Sequence, residues 1–173
     1  LGGFARTAKR SGGRGIMLDL LIVNPSAKAE NYGPLTPLSA LEPPLWAALI
    51  AAYVRKHGYS VEILDAEAEG LGVEATARKI AEANPRLCAI VVLGINPSVS
   101  STPKMGAVRR IVYGVKESKP DIPIVVSGLH PSALPERALL ETGTDFVAQG
   151  EGFKTVLGLL GGHFHGPGLW RWD

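Results

Sequence analysis

Five short apolar runs constrain this chain more than any other feature: LDLLIV (18–23), VEIL (61–64), CAIVVL (88–93), IPIVV (122–126) and FVA (146–148). Most of them lack the in-and-out alternation of a half-buried strand. Strands that are apolar at nearly every position are covered on both faces, as in a parallel sheet between two layers of helices. Helical patterns separate the runs, so strand and helix alternate along the chain.

The spacing predicts the first of these helices around Trp46, Leu49, Ile50, Tyr53 and Val54, an i, i+3, i+4, i+7, i+8 stripe. Ala47, Ala48, Ala51 and Ala52 lie beside the stripe and allow close approach to a sheet, and Gly58 stands where a C′ glycine is expected. A second helix is predicted over Val73 to Ala83, stopped by Asn84-Pro85. A third sets Met105, Val108, Ile111, Val112 and Val115 on one face despite Gly106 and Gly114. Shorter ones begin at Pro135 and run from Glu151 to Leu160. The fold expected is α/β, a flavodoxin-like (Rossmann-like) doubly wound sheet of five parallel strands in the order 2-1-3-4-5. Right-handed crossovers bring every strand-to-helix loop to one edge of such a sheet, where ligands bind.

A length of 173 residues suits one domain with a real core and is short for two. Arg6, Lys9, Arg10 and Arg14 lie in an acid-free leader, residues 1–16, read as a disordered tail or as sequence upstream of a start at Met17. They more than account for the net charge of +2, so the body carries a slight acidic excess and sparse aromatics. No nucleic-acid surface is expected from that. Nor is a membrane span, since no apolar stretch of 18 residues occurs. Cys88 is the sole cysteine, which excludes a disulfide framework and fits a cytoplasmic protein.

The five loops of the expected ligand edge read NPSAKAENYGPLTPLSALEPP, DAEAEGLG, GINPSVSSTPK, SGLHPSALP and QGEG. They are rich in Gly, Pro and Ser and poor in charge, which suits a large, mostly neutral ligand with amide edges better than a triphosphate. Neither GxGxxG nor GxxxxGK[ST] is present. The acidic pair and the Asp of a response-regulator receiver are replaced by Asn24-Pro25 and Gly94-Ile95-Asn96.

Together with PPLWAALIAAYVRKHG, VEILDA, GIN, SGLHPSALPE and DFVAQGEGFKT, these loops resemble the N-terminal cobalamin-binding domain of cobalamin-dependent radical SAM proteins. The resemblance runs from about Leu18 to Leu160 with the motifs in order. It implies a cobalamin-binding module at residues 17–160, with Asn24, Pro25, Asn96, Ser98, Ser100, Ser101, Gly128, Leu129, His130, Pro131, Gly150 and Glu151 as the cofactor contacts. It also implies base-off cobalamin with no protein histidine on cobalt, because the DxHxxG of histidine-ligating relatives is missing from the first loop. The [4Fe–4S] cluster and S-adenosylmethionine would belong to a C-terminal radical SAM domain, since one cysteine cannot supply CxxxCxxC. Residues 161–173 would then open a linker to that domain. PGLWRWD resembles the start of a strand pair, and the expectation is an unpaired strand with Trp170 and Trp172 on one exposed face, the alternative being an aromatic tail that folds back on the sheet. Catalysis, by methyl transfer or related radical chemistry, is assigned to the longer protein and none to this chain.

Three positions depart from the family pattern: Asn96 for Ser, Ser127 for the first Gly of a pair, and Leu129 for Pro. They leave room for a degenerate, non-catalytic scaffold or partner-binding domain, and a flavin or nucleotide binder is a third reading. His130, between Leu129 and Pro131 with no carboxylate nearby in sequence, is read as a ligand-side contact rather than a surface turn residue, a base or a metal ligand. Thr102 suits a helix cap. Glu151 either touches the ligand or favours the N-terminus of the last helix. Cys88 is expected to be buried, Asp65 and Glu67 to be solvated loop carboxylates, and His163 and His165 to belong to a solvated tail.

Overall fold

Strand β1 (Leu20–Asn24) has all five residues buried, and it lies inside the sheet, parallel to β2 (Val61–Asp65) on one side and β3 (Leu87–Val92) on the other. The computed structural model describes residues 17–93 and 101–172. Strand β4 (Ile124–Gly128) pairs in parallel with β3, and β5 (Phe146–Ala148) with β4. These five strands stand in the expected order 2-1-3-4-5.

A sixth strand was not foreseen. β6 (Leu169–Arg171) runs antiparallel to β5, with Ala148 opposite Leu169 and Phe146 opposite Arg171. The segment expected to be unpaired therefore satisfies the open backbone edge of β5. Both tryptophans anchor it: Trp170 Nε1 donates to Gln149 Oε1 at 3.0 Å and Trp172 Nε1 to the Thr144 carbonyl at 2.8 Å.

The long connection after β1 holds a short helix, α1 (Lys28–Tyr32), and a 3-10 segment (Gly33–Leu38) where a plain loop was expected. It leads into α2 (Leu45–Lys56). The remaining helices are α3 (Val73–Ala83), α4 (Met105–Ser118), α5 (Leu129–Ala133), α6 (Pro135–Thr142) and α7 (Phe153–Leu160). Helices α2 and α7 cover one face of the sheet, while α3, α4 and α6 cover the other.

The five apolar positions predicted for α4 are all buried. Gly114 has a packing reason, because a Cβ there would come within 3.0 Å of the Ala77 Cβ on α3. Helix α2 is rotated from the expected stripe. Ala47, Ile50, Ala51 and Val54 face the sheet, whereas Leu49 is 42% exposed. The small alanines let α2 sit close to β1, and the larger Trp46 and Tyr53 are carried to the rim. Cys88 is fully buried in β3, and that burial pushes its thiol up to about 12. Among the described residues no helix is long and apolar enough to cross a membrane.

Candidate functional site

The loops at the carboxyl edge are joined to one another by side-chain contacts. At the end of β1, the buried Asn24 side chain donates from Nδ2 to Asp65 Oδ1 at 2.8 Å, linking the first loop to the second. Asp65 also accepts the Ala68 N–H, which closes the turn after β2. Glu67 then reaches Lys104 at the start of α4, with 2.7 Å between Oε1 and Nζ. Both of those side chains are more than nine-tenths buried. Glu67 is therefore no solvated loop carboxylate, and sequence spacing had no means of pairing it with a lysine 37 residues away.

The loop after β3 at residues 94–100 lies outside the described residues, and with it the expected contacts Asn96, Ser98 and Ser100. Ser101 is described and 1% exposed; its Oγ accepts the His130 N–H at 2.8 Å. Thr102 Oγ1 lies 3.0 Å from His130 Nδ1. The hydroxyl read as a cap thus reaches across to the fourth loop.

His130 is 6% exposed, so it is not a surface turn residue. A carboxylate does approach it: Glu141 Oε2 of α6 lies 3.6 Å from Nε2, beyond hydrogen-bond distance, and Glu141 also pairs with Arg137. That contact was hidden from sequence because the partner sits eleven residues away on another helix. The ring is thus set between the third loop and α6.

Gly128 makes this turn possible. Its φ of 135° lies outside the usual range of L side chains, and a Cβ would stand 1.9 Å from the Val92 carbonyl oxygen. The ends of β3 and β4 consequently touch backbone to backbone. Beyond it Leu129 is 52% exposed while Pro131 is buried.

Ser132 ties this loop to the last one, donating to the Gly150 carbonyl at 3.2 Å and accepting the Gly150 N–H at 2.9 Å. Gly150 and Glu151 are exposed, and the Glu151 carbonyl accepts Trp46 Nε1 at 3.2 Å, which brings α2 into the chain of contacts. Described site residues from four loops (Asn24 and Pro25, Ser101, Gly128 to Pro131, Gly150 and Glu151) therefore stand along one edge. Exposure is confined to Leu129, Gly150 and Glu151 among them.

Charge at this edge is low and mostly neutralised. Lys104 is paired with Glu67 and Arg110 with Glu30, while Lys28 keeps its charge and donates to the Ala40 carbonyl. No group of three or more His, Cys, Asp or Glu able to hold a metal ion occurs among the described residues. The edge offers backbone amides, hydroxyls and small side chains, the donor set of a large neutral ligand rather than of a bare ion or a triphosphate.

Comparison with known proteins agrees with this chemistry. A family profile described as the B12 binding domain matches residues 36–160. The anaerobic magnesium-protoporphyrin IX monomethyl ester cyclase of Rubrivivax gelatinosus is 28% identical over 120 residues, 68% of this chain and 20% of that protein. The radical S-adenosylmethionine methyltransferase TsrM from Kitasatospora setae, solved with cobalamin and a [4Fe–4S] cluster bound, superposes with a TM-score of 0.67 at 21% identity. That match covers 88% of this chain and 28% of TsrM. The cobalamin-dependent S-adenosylmethionine radical enzyme OxsB, with aqua-cobalamin bound, gives a TM-score of 0.63 at 17% identity, over 91% of this chain and 21% of OxsB. At such identities the superpositions speak to the fold. The chain spans between a fifth and somewhat over a quarter of the length of these proteins.

Proposed function

Because the chain belongs to the B12-binding domain family, we propose that it binds cobalamin at the carboxyl edge of its sheet and serves as the cobalamin module of a radical SAM enzyme. The observation that carries this reading is the match over residues 36–160, which includes four of the five edge loops and all the helices from α2 to α7. The edge fits the group on its own terms. Gly128 brings backbone against backbone without a side chain in the way, Leu129 and Gly150 are exposed, and the buried Ser127 hydroxyl has no partner among the described residues.

Asn24 and Pro25 would floor the site beside β1, Gly128 to Pro131 would wall it, and Gly150 with Glu151 would close the far side. When bound, cobalamin supplies a cobalt centre able to carry a methyl group or join radical chemistry. The protein's part is to hold and orient it. We take the cobalt to lack a protein histidine. In support, His130 Nδ1 is engaged with Thr102 and Nε2 faces Glu141, while His57, at the C-terminal end of α2, has its Nδ1 2.9 Å from the Tyr53 carbonyl. A [4Fe–4S] cluster and S-adenosylmethionine would sit in a C-terminal radical SAM domain of a longer cytoplasmic protein, for which residues 161–173 would form the connection.

Titration with hydroxocobalamin and, separately, with FMN tests the reading. Binding of cobalamin should perturb its visible spectrum and raise the melting temperature by linkage, about 2.7 kcal/mol of stabilisation at a hundredfold excess over Kd. FMN should do neither. A chain that ignores cobalamin, or that binds FMN in its place, overturns the proposal.

A further inference from the structure

Helix α2 turns one face to the sheet and leaves another uncovered. Ala47, Ile50, Ala51 and Val54 are buried, and Trp46 and Tyr53 pack edge-on against Phe153 of α7. The remaining face carries Leu45, Ala48, Leu49 and Ala52, all exposed, with Leu45 at 66%. Their i, i+3, i+4, i+7 spacing makes one stripe at about 3.6 residues per turn. Leu38 and Leu41, exposed just ahead of the helix, extend the apolar surface. Apolar area gathered in this way marks a contact surface.

Charge stands only at the two ends of the stripe. Glu42 lies three residues ahead of the helix and Lys56 is its last residue. Both are exposed, and among the described residues neither has an ionic partner. Arg55 is already engaged, donating to the Val61 carbonyl at 2.7 Å. A second α2 laid antiparallel on the first brings Glu42 of each copy to Lys56 of the other. The same register sets Leu45 over Ala52 and Leu49 over Ala48, so each bulky side chain meets the space beside a small one. A two-fold axis repeats every contact, and the helix dipoles run head to tail. A parallel pair in register would set Lys56 on Lys56 and leucine on leucine. Charge and volume thus select one arrangement independently.

We propose that the exposed face of α2 is a self-association surface, on which a second copy of this chain seats its own α2 antiparallel. The N-terminal end of α2 lies at the carboxyl edge of the sheet, where Trp46 donates to the Glu151 carbonyl. Antiparallel helices therefore point the two carboxyl edges in opposite directions, and both stay open to a ligand. A helix of 12 residues is small beside ordinary interfaces of about 800 Å² per partner, so the dimer is weak, with a micromolar Kd.

Sedimentation velocity of the full chain over a concentration series is the test. Wild type should pass from monomer to dimer between roughly 1 and 100 μM. Leu49→Glu should stay monomeric throughout and, at the lowest concentration, melt as wild type does, since the position is exposed. Glu42→Lys and Lys56→Glu should each raise the Kd about tenfold, and the two together should bring it back. Should Leu49→Glu melt lower, the charge reversals decide alone. A wild type that stays monomeric leaves this face to another part of a longer protein and overturns the proposal. So does a dimer that survives Leu49→Glu, and so do charge reversals whose losses add in the double variant.

Discussion

Lys104 and Glu67 form an ion pair whose side chains are only 8% and 6% exposed, and it joins the loop after β2 to the first turn of α4. Two opposite charges out of water hold each other strongly only while both are present. Glu67→Ala should therefore cost about 3–5 kcal/mol of unfolding free energy, because the ammonium is left buried and unpaired. Replacing both, as Glu67→Met with Lys104→Met, should recover most of that loss. Urea unfolding of wild type, Glu67→Met, Lys104→Met and the double variant checks the point, and losses of the two single variants that simply add in the double would sink it.

His130→Ala should leave the cobalt spectrum of bound cobalamin as it is in wild type. One nitrogen of the ring is 3.0 Å from Thr102 Oγ1 and the other faces Glu141, so neither is presented to the open side of the edge. Electronic absorption and EPR of the reduced cobalt form provide the measurement. A change of the kind that follows loss of a nitrogen ligand would show that His130 reaches the metal.

At the opposite edge, Asp19 lies under Ser60 and Arg86. Burial pushes its carboxyl up, but the Ser60 N–H, the Arg86 guanidinium and the Ser60 hydroxyl outweigh burial and hold it below the usual range. A carboxyl with a depressed native value binds its proton more weakly in the folded chain. Its contribution is full above the unfolded value of about 4 and is lost as pH falls through the native one. Asp19→Asn should cost about 2 kcal/mol at neutral pH, the worth of hydrogen bonds to a charged group. The gap to wild type should close as the solution is acidified, and a gap that stays constant in urea titrations down the pH scale would refute the assignment.

Much of this architecture was legible from periodicity. The apolar runs gave the five parallel strands because a strand covered on both faces leaves no polar positions. Helix α3 ends where Asn84-Pro85 predicted, with Asn84 in the left-handed conformation at a φ of 43°. What periodicity could not show was contact between loops. The roles of Glu67, Thr102 and His130 depend on partners brought near by the fold. Helix α5 was missed because LHPSA is too short to show a period, and β6 because three residues after Gly-rich turns carry no strand pattern of their own. On α2 the stripe and the alanines beside it share the buried face: Ile50 and Val54 are buried with Ala47 and Ala51, because closeness to β1 favours small side chains, and Leu49 is turned outward. The motif set read at the loops did point to the family that the profile match supports.

Strand β1 precedes both of its neighbours along the chain, β2 by some 40 residues and β3 by more than 60. At typical synthesis speeds of about 5–20 residues per second, Leu20 to Val23 wait roughly 3 to 13 seconds for β3 to appear. For that interval a strand buried along its whole length in the finished domain has at most one of its two neighbours beside it.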